Sequence, residues 1–192
     1  MRRLLCLLLI FCFFGCASDK VMIKKGNSKT YAFFKDFDMN HYYVSFFDRN
    51  STSSDDAKII MARDGEKYYY EVSSINKQKI IWKDGFKYTV FDNGYYMEES
   101  DVYDYSHGIL PDVSKIKNSK YKTGYRKLFG IRYLFEEYTF GKDTSTYYFK
   151  GDKLVYISYS SPLQEVVLKY HRFGKVNSKI FEISDDLLLL TY

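Results

Sequence analysis

From Ala57 onward, short runs of apolar and aromatic residues alternate with polar ones, and each run ends at a dipeptide suited to a tight corner. AKIIMAR and EKYYYEV flank Asp64-Gly65, KQKIIWK and FKYTVF flank Asp84-Gly85, and Asn93-Gly94 leads into YYMEES. Asp-Gly and Asn-Gly supply the positive φ that two-residue hairpin turns require, so the pattern predicts an antiparallel meander. Strands are expected again over 131–140, 144–150, 153–159 and 164–173, with corners at Gly141-Lys142-Asp143 and Gly151-Asp152. Between the two groups, residues 100–130 hold weak periodicity, Pro111 and several turn formers, which reads as loop with one or two short helical pieces.

Upstream, Tyr42 to Phe47 reads as a strand and 48–56 (DRNSTSSDD) as a loop. Tyr31, Phe34 and Asp38 fall on one helical spacing and Phe33 and Phe37 on the next. A short amphipathic helix over 28–38 follows, with Ser28 as its cap. The expected fold is mainly β (α+β): an antiparallel meander forming a curved half-barrel, with short helices covering one face. A chain of 192 residues with 20% aromatic residues and two prolines suits one such domain, placed at 28–192.

The first fifteen residues break this pattern. Arg2 and Arg3 precede an unbroken apolar run from Leu4 to Phe14, too short to span a bilayer, and the run ends in Gly15-Cys16 followed by Ala17-Ser18. This resembles the lipobox of bacterial lipoproteins, in which a cysteine after a small residue is acylated before the signal peptide is cut. Phe13 and Phe14 stand where Leu and a small residue are usual. The resemblance implies a signal peptide at 1–15, lipidation of Cys16, and extracytoplasmic attachment to a membrane. Ala17 is compatible with passage to an outer membrane where one exists. The alternative is an ordinary secretory signal, or an uncleaved anchor, with an incidental cysteine.

Cys6 and Cys12 lie inside the removed segment, and no cysteine follows Cys16, so the mature domain holds no disulfide. Residues 16–27 read as a lipidated N-terminus and polar tether. Lys20, Lys24, Lys25 and Lys29 favour either an anionic surface or plain solvation. Net charge is +5, and loss of Arg2 and Arg3 leaves +3, with both signs interspersed. That is a solvated surface and no nucleic-acid footprint.

Leu134-Phe135-Glu136-Glu137-Tyr138, the run Tyr147 to Ile157, and the closing phrase Ser178-Lys179-Ile180-Phe181-Glu182-Ile183 resemble the superfamily of outer-membrane lipoprotein carriers and receptors, the LolA/LolB type. The resemblance implies an incomplete barrel of about eleven strands capped by helices around an apolar cavity for acyl chains, with the closing phrase as a last strand. Beyond Ile183 the chain departs from those relatives, having Ser184 and Asp185-Asp186 in place of proline and a glycine-containing tail.

Catalytic and metal chemistry find no pattern. His41, His107 and His171 stand outside any zinc spacing, and no phosphate loop, nucleophile elbow or cysteine-histidine pair occurs. The Asn50-Ser51-Thr52 sequon is discounted in a bacterial lipoprotein. Glu98-Glu99-Ser100-Asp101 and Asp185-Asp186 read as solvated charge rather than calcium ligands. Strand alternation must turn one of Glu136 and Glu137 inward or to an edge. The runs Tyr68-Tyr69-Tyr70, Tyr95-Tyr96 and Tyr147-Tyr148-Phe149 place rings on both faces of their strands: one face is core, and the other is either a contact surface or ordinary packing, which alone explains most of the rings.

Three functions rank in order from this reading. First stands a non-enzymatic module that binds a lipid or lipoprotein acyl chain in a half-barrel cavity. Next comes a structural or interaction lipoprotein of the cell envelope, with a filled core and a tyrosine-rich surface that contacts an envelope protein or an envelope polymer. An enzyme comes last, and no cofactor is expected.

Overall fold

A computed structural model of the chain describes residues 21–49, 57–73, 77–101 and 110–190. The signal segment, Cys16, the sequon and His107 lie outside the described residues. In chain order the elements are β1 (Met22–Lys25), α1 (Lys29–Phe34), β2 (His41–Asp48), β3 (Lys58–Asp64), β4 (Lys67–Ser73), β5 (Gln78–Lys83), β6 (Phe86–Phe91), β7 (Tyr95–Ser100), α2 (Val113–Asn118), β8 (Lys120–Leu128), β9 (Ile131–Phe140), β10 (Asp143–Lys150), β11 (Lys153–Ser160), β12 (Glu165–Gly174) and β13 (Leu188–Leu189).

All thirteen strands form one open sheet in the order β1-β8-β9-β10-β11-β12-β2-β3-β4-β5-β6-β7-β13. It consists of two meanders, β2 to β7 and β8 to β12, joined where β12 pairs with β2. Neighbours are antiparallel except β13, which lies parallel to β7. The register shifts between Tyr148 and Phe149 on β10 and between Tyr170 and Arg172 on β12. Such irregularities bend a strand and increase its twist, consistent with a curved half-barrel.

The expected hairpins form at the expected corners. Asp84 and Gly85 both adopt positive φ, 55° and 81°, as a two-residue turn of the mirror-image type demands. The β8–β9 corner uses the same backbone with a bulky residue, Phe129 at φ 50° followed by Gly130 at 78°.

Several expectations need correction. Residues 22–25, assigned to the tether, form β1 and pair with β8 from Met22↔Thr123 to Lys25↔Lys120. All of 120–128, assigned to loop with one or two short helical pieces, is the nine-residue strand β8. The phrase 178–183 is no strand: Ser178–Phe181 is a 3-10 turn whose Asn177 side chain accepts from Lys179 N at 3.1 Å. The first helix is shorter than 28–38. Ser28 Oγ caps it by accepting from Tyr31 N at 2.9 Å. Past Lys35 the chain leaves the helix for a turn in which the Asp38 carboxylate accepts from Asn40 N at 2.9 Å, so a side chain takes up the backbone donor.

Both helices cover the same face of the sheet, here the inner one. Alternation on the strands sends Tyr42, Val44 and Phe46 of β2 to that face, with Tyr147 and Phe149 of β10. Phe34 of α1 and Ile116 of α2 pack onto them.

Candidate functional site

The inner face is closed by the chain's own rings. Phe34 is 1% exposed and lies edge-on to Phe33, Phe37 and Tyr147, at centroid distances of 4.9, 5.6 and 5.9 Å. Phe37 stacks on Phe173 at 3.8 Å. Below them Tyr121 stacks on Tyr138 at 5.4 Å. Burial pushes the Tyr147 and Tyr138 hydroxyls well above the ordinary tyrosine range, so both stay neutral.

One carboxylate is built into this interior. Glu136 is 4% exposed on β9. Its Oε1 accepts from Lys29 N at 2.9 Å, and its Oε2 accepts from Thr30 N at 2.8 Å and Thr30 Oγ1 at 2.7 Å. These N–H groups belong to the first turn of α1, which has no partners within the helix, so the acid satisfies them from across the fold. Glu137, its neighbour, turns outward, where it accepts from Arg126 at 2.9 Å and Lys122 at 3.1 Å. Burial works against ionisation of Glu137, but these bonds outweigh it and hold the carboxyl below the usual glutamate value.

The outer face is packed too, in two places. The segment after β12 lays Phe181, 2% exposed, on Ile60, Ala62, Tyr69 and Ile81. Beside it Tyr69 donates to Glu71, which also accepts from Ser73 Oγ at 2.9 Å and pairs with Lys77 at 3.4 Å. Burial first, then the bond to Glu71, pushes the Tyr69 hydroxyl far up. Over the second meander, Tyr133, Phe135, Tyr148, Tyr156 and Val167 form a separate cluster. The Arg126 guanidinium lies over the Phe135 ring at 4.2 Å, and Arg49 lies 5.4 Å from the Phe129 centroid.

Most of the tyrosine runs are therefore core on both faces. Tyr68 and Tyr147 are buried on the inner side, Tyr69 and Tyr148 on the outer, while Tyr70, Tyr95 and Tyr96 are half-buried. The exposed apolar side chains lie elsewhere, at Val21, Met22, Ile23, Tyr125, Phe129, Ile131, Leu163 and Leu188 among others. Runs of adjacent aromatics conceal this, because the exposed rings and aliphatics lie outside those runs, at the sheet borders and at corners.

The remaining candidates are dispersed. His41 Nδ1 lies 3.0 Å from Asp38, and His171 Nδ1 lies 3.1 Å from Ser45 Oγ. Glu99 pairs with Lys87 at 2.6 Å, and Ser184 donates to Asp186. Among the described residues no group of three His, Cys, Asp or Glu side chains could hold a metal, and no helix is long and apolar enough to cross a membrane. Two shallow depressions of about 210 and 220 Å³ open on the outside beside the C-terminal segment, at Tyr43, Arg172 and Lys175 and at Lys79, Phe91 and Asp186.

No protein-family model matches the chain, and no curated protein matches it. Among solved structures it is similar to "hypothetical protein CT021 from Chlamydia trachomatis", at 12% identity and a TM-score of 0.30. The match covers 89% of this chain and 100% of that one.

Proposed function

We propose that the chain is a lipid-anchored, extracytoplasmic, non-enzymatic interaction module of the bacterial envelope. The signal-like segment and Gly15-Cys16 support export and acylation. The observation that favours an interaction module over a carrier is the packing of Phe34 between α1 and β10. The inner face, where an acyl carrier of the resembled type keeps its cavity, is occupied by Phe34, Phe37, Tyr147 and Phe173. Contact with partners then falls to exposed apolar side chains outside that face, Leu188 and Leu189 of β13 among them.

Native mass spectrometry of the mature chain released from membranes in detergent tests this reading. The expected mass is that of residues 16–192 plus the acyl groups on Cys16, with no further lipid. A second, stoichiometric lipid that survives into the gas phase would make the protein an acyl carrier whose first helix moves aside. A mass with unmodified Cys16 would remove the anchor.

A further inference from the structure

We propose that the outer face of the sheet, at its β1, β8 and β9 edge, docks against the anionic leaflet in which Cys16 is anchored. The inference rests on the lipid-anchored reading and adds an orientation to it. Four residues separate Cys16 from Val21. At about 3.6 Å per residue, the five Cα steps hold Val21 within about 18 Å of the acylated cysteine. The headgroup zone of one leaflet is itself about 5–8 Å deep. The start of β1 is thereby confined to the bilayer surface.

What β1 carries there is apolar and uncovered. Val21 is 53% exposed and Ile23 72%. Ile23 pairs with Lys122, so both side chains lie on the outer face, where β8 and β9 add Arg126 and Ile131 and their corner adds Phe129. Phe129 and Ile131 are each about half exposed. Asn, Asp or Gly is the ordinary occupant of a positive-φ corner, and a phenylalanine held there with half its surface in water is costly in solution.

Charge completes the match. Lys122 and Arg126 flank these apolar side chains, Arg49 reaches the Phe129 ring, and exposed Lys120 and Lys169 lie on the same face. The acid among them, Glu137, is shared between Lys122 and Arg126. Apolar side chains ringed by Lys and Arg suit the boundary between acyl chains and phosphate groups, where the cations meet anionic headgroups. A protein partner of the same surface would need complementary acids, and nothing brings it within reach of β1 as the tether brings the membrane.

Site-directed spin labelling tests the orientation, because Cys16 is the mature chain's one cysteine and is acylated. Ile23→Cys, Ile131→Cys and Leu163→Cys are each introduced into the full chain, and the mature proteins are placed in phosphatidylglycerol-containing vesicles. Leu163, 96% exposed, sits on the β11–β12 corner, at the opposite end of the strands from the start of β1. The expected result is an oxygen-to-nickel accessibility ratio several-fold higher at 23 and 131 than at 163. Equal, aqueous ratios at all three sites, or a buried label at 163 alone, overturn the docking face while leaving the anchor intact. The mass of the N-terminal peptide is read in parallel. Unmodified Cys16 overturns the anchor and, with it, the tether on which the orientation depends.

Discussion

Thr30 donates twice to one oxygen of Glu136, through its backbone N–H at 2.8 Å and its hydroxyl at 2.7 Å, across 106 residues of sequence. With Lys29 N on the other oxygen, both carboxylate oxygens act only as acceptors. Glutamine is therefore a poor replacement, since its amide nitrogen must face a donor whichever way it turns. Glu136→Gln is expected to cost about 2 kcal/mol, and Glu136→Ala about 3 kcal/mol, because hydrogen bonds to a charged group are worth roughly 1.5–3 kcal/mol and the buried donors are left unpaired. Denaturant unfolding of the parent and of each variant measures both. Equal stability of Glu136→Gln and the parent would show that the carboxylate is dispensable.

Phe34 is the ring on which the filled inner face depends. Phe34→Ala is expected to lose about 3–5 kcal/mol, the range for deleting a buried aromatic and leaving a cavity. It should also admit a small apolar probe, such as a fluorescent fatty acid, that the parent excludes. If the parent binds that probe as well as the variant does, the inner face is not closed in solution.

The Glu137 cluster gives a pH dependence whose sign follows from its partners. Arg126 and Lys122 hold the folded carboxyl below the usual value of 4.5, so between the two values the unfolded chain binds more protons. The stabilisation is fully present above the unfolded value and is lost as pH falls through the folded one. It is worth at most about 1 kcal/mol for a pair of this exposure. Thermal unfolding of the parent and Glu137→Gln should converge as pH drops below the ordinary glutamate range and stay apart near neutrality.

At the β5–β6 corner the cost is conformational alone. Gly85 sits at φ 81° with nothing within 4 Å of an added Cβ. Gly85→Ala is expected to lose about 1–2 kcal/mol, the penalty for an L-residue in the left-handed region. An unchanged midpoint in denaturant would mean that the corner rearranges freely.

Phe129 should separate stability from membrane contact. Asn tolerates positive φ, so Phe129→Asn relieves backbone strain while giving up the ring contact with Tyr156 at 5.6 Å. The two effects oppose each other, and unfolding free energy should change by no more than about 1 kcal/mol. A spin label at Ile131→Cys in the same chain should nevertheless move toward water. A label that keeps its depth would remove Phe129 from the contact.

The hairpin corners were legible because Asp-Gly and Asn-Gly answer a backbone requirement that few other dipeptides meet. β8 was not, because Gly124 and Thr123 interrupt its apolar alternation and look like turn formers. In the fold Gly124 is a buried strand residue opposite Phe135 of β9. β1 was hidden for a different reason. Its four residues include two lysines and are all exposed, so its strand character comes from β8, about a hundred residues downstream. The role of Glu136 was half visible: alternation required one acid of the pair to turn inward, but only the fold brings Lys29 and Thr30 to meet it.

The seam between the two meanders sets the order in which the chain can mature. Phe46 of β2 meets Tyr170 of β12, so β2 waits on one side without its neighbour until nearly the whole chain is available. β1 and β13, near opposite ends of the sequence, each shield one border of the sheet. β1 precedes β8 in the chain and is at hand when β8 appears, but until β13 arrives the border at β7 is an open template for pairing with other chains. A chain that is still incomplete is thus most vulnerable before β13 appears, and truncation ahead of Leu188 should yield aggregation rather than a smaller stable domain.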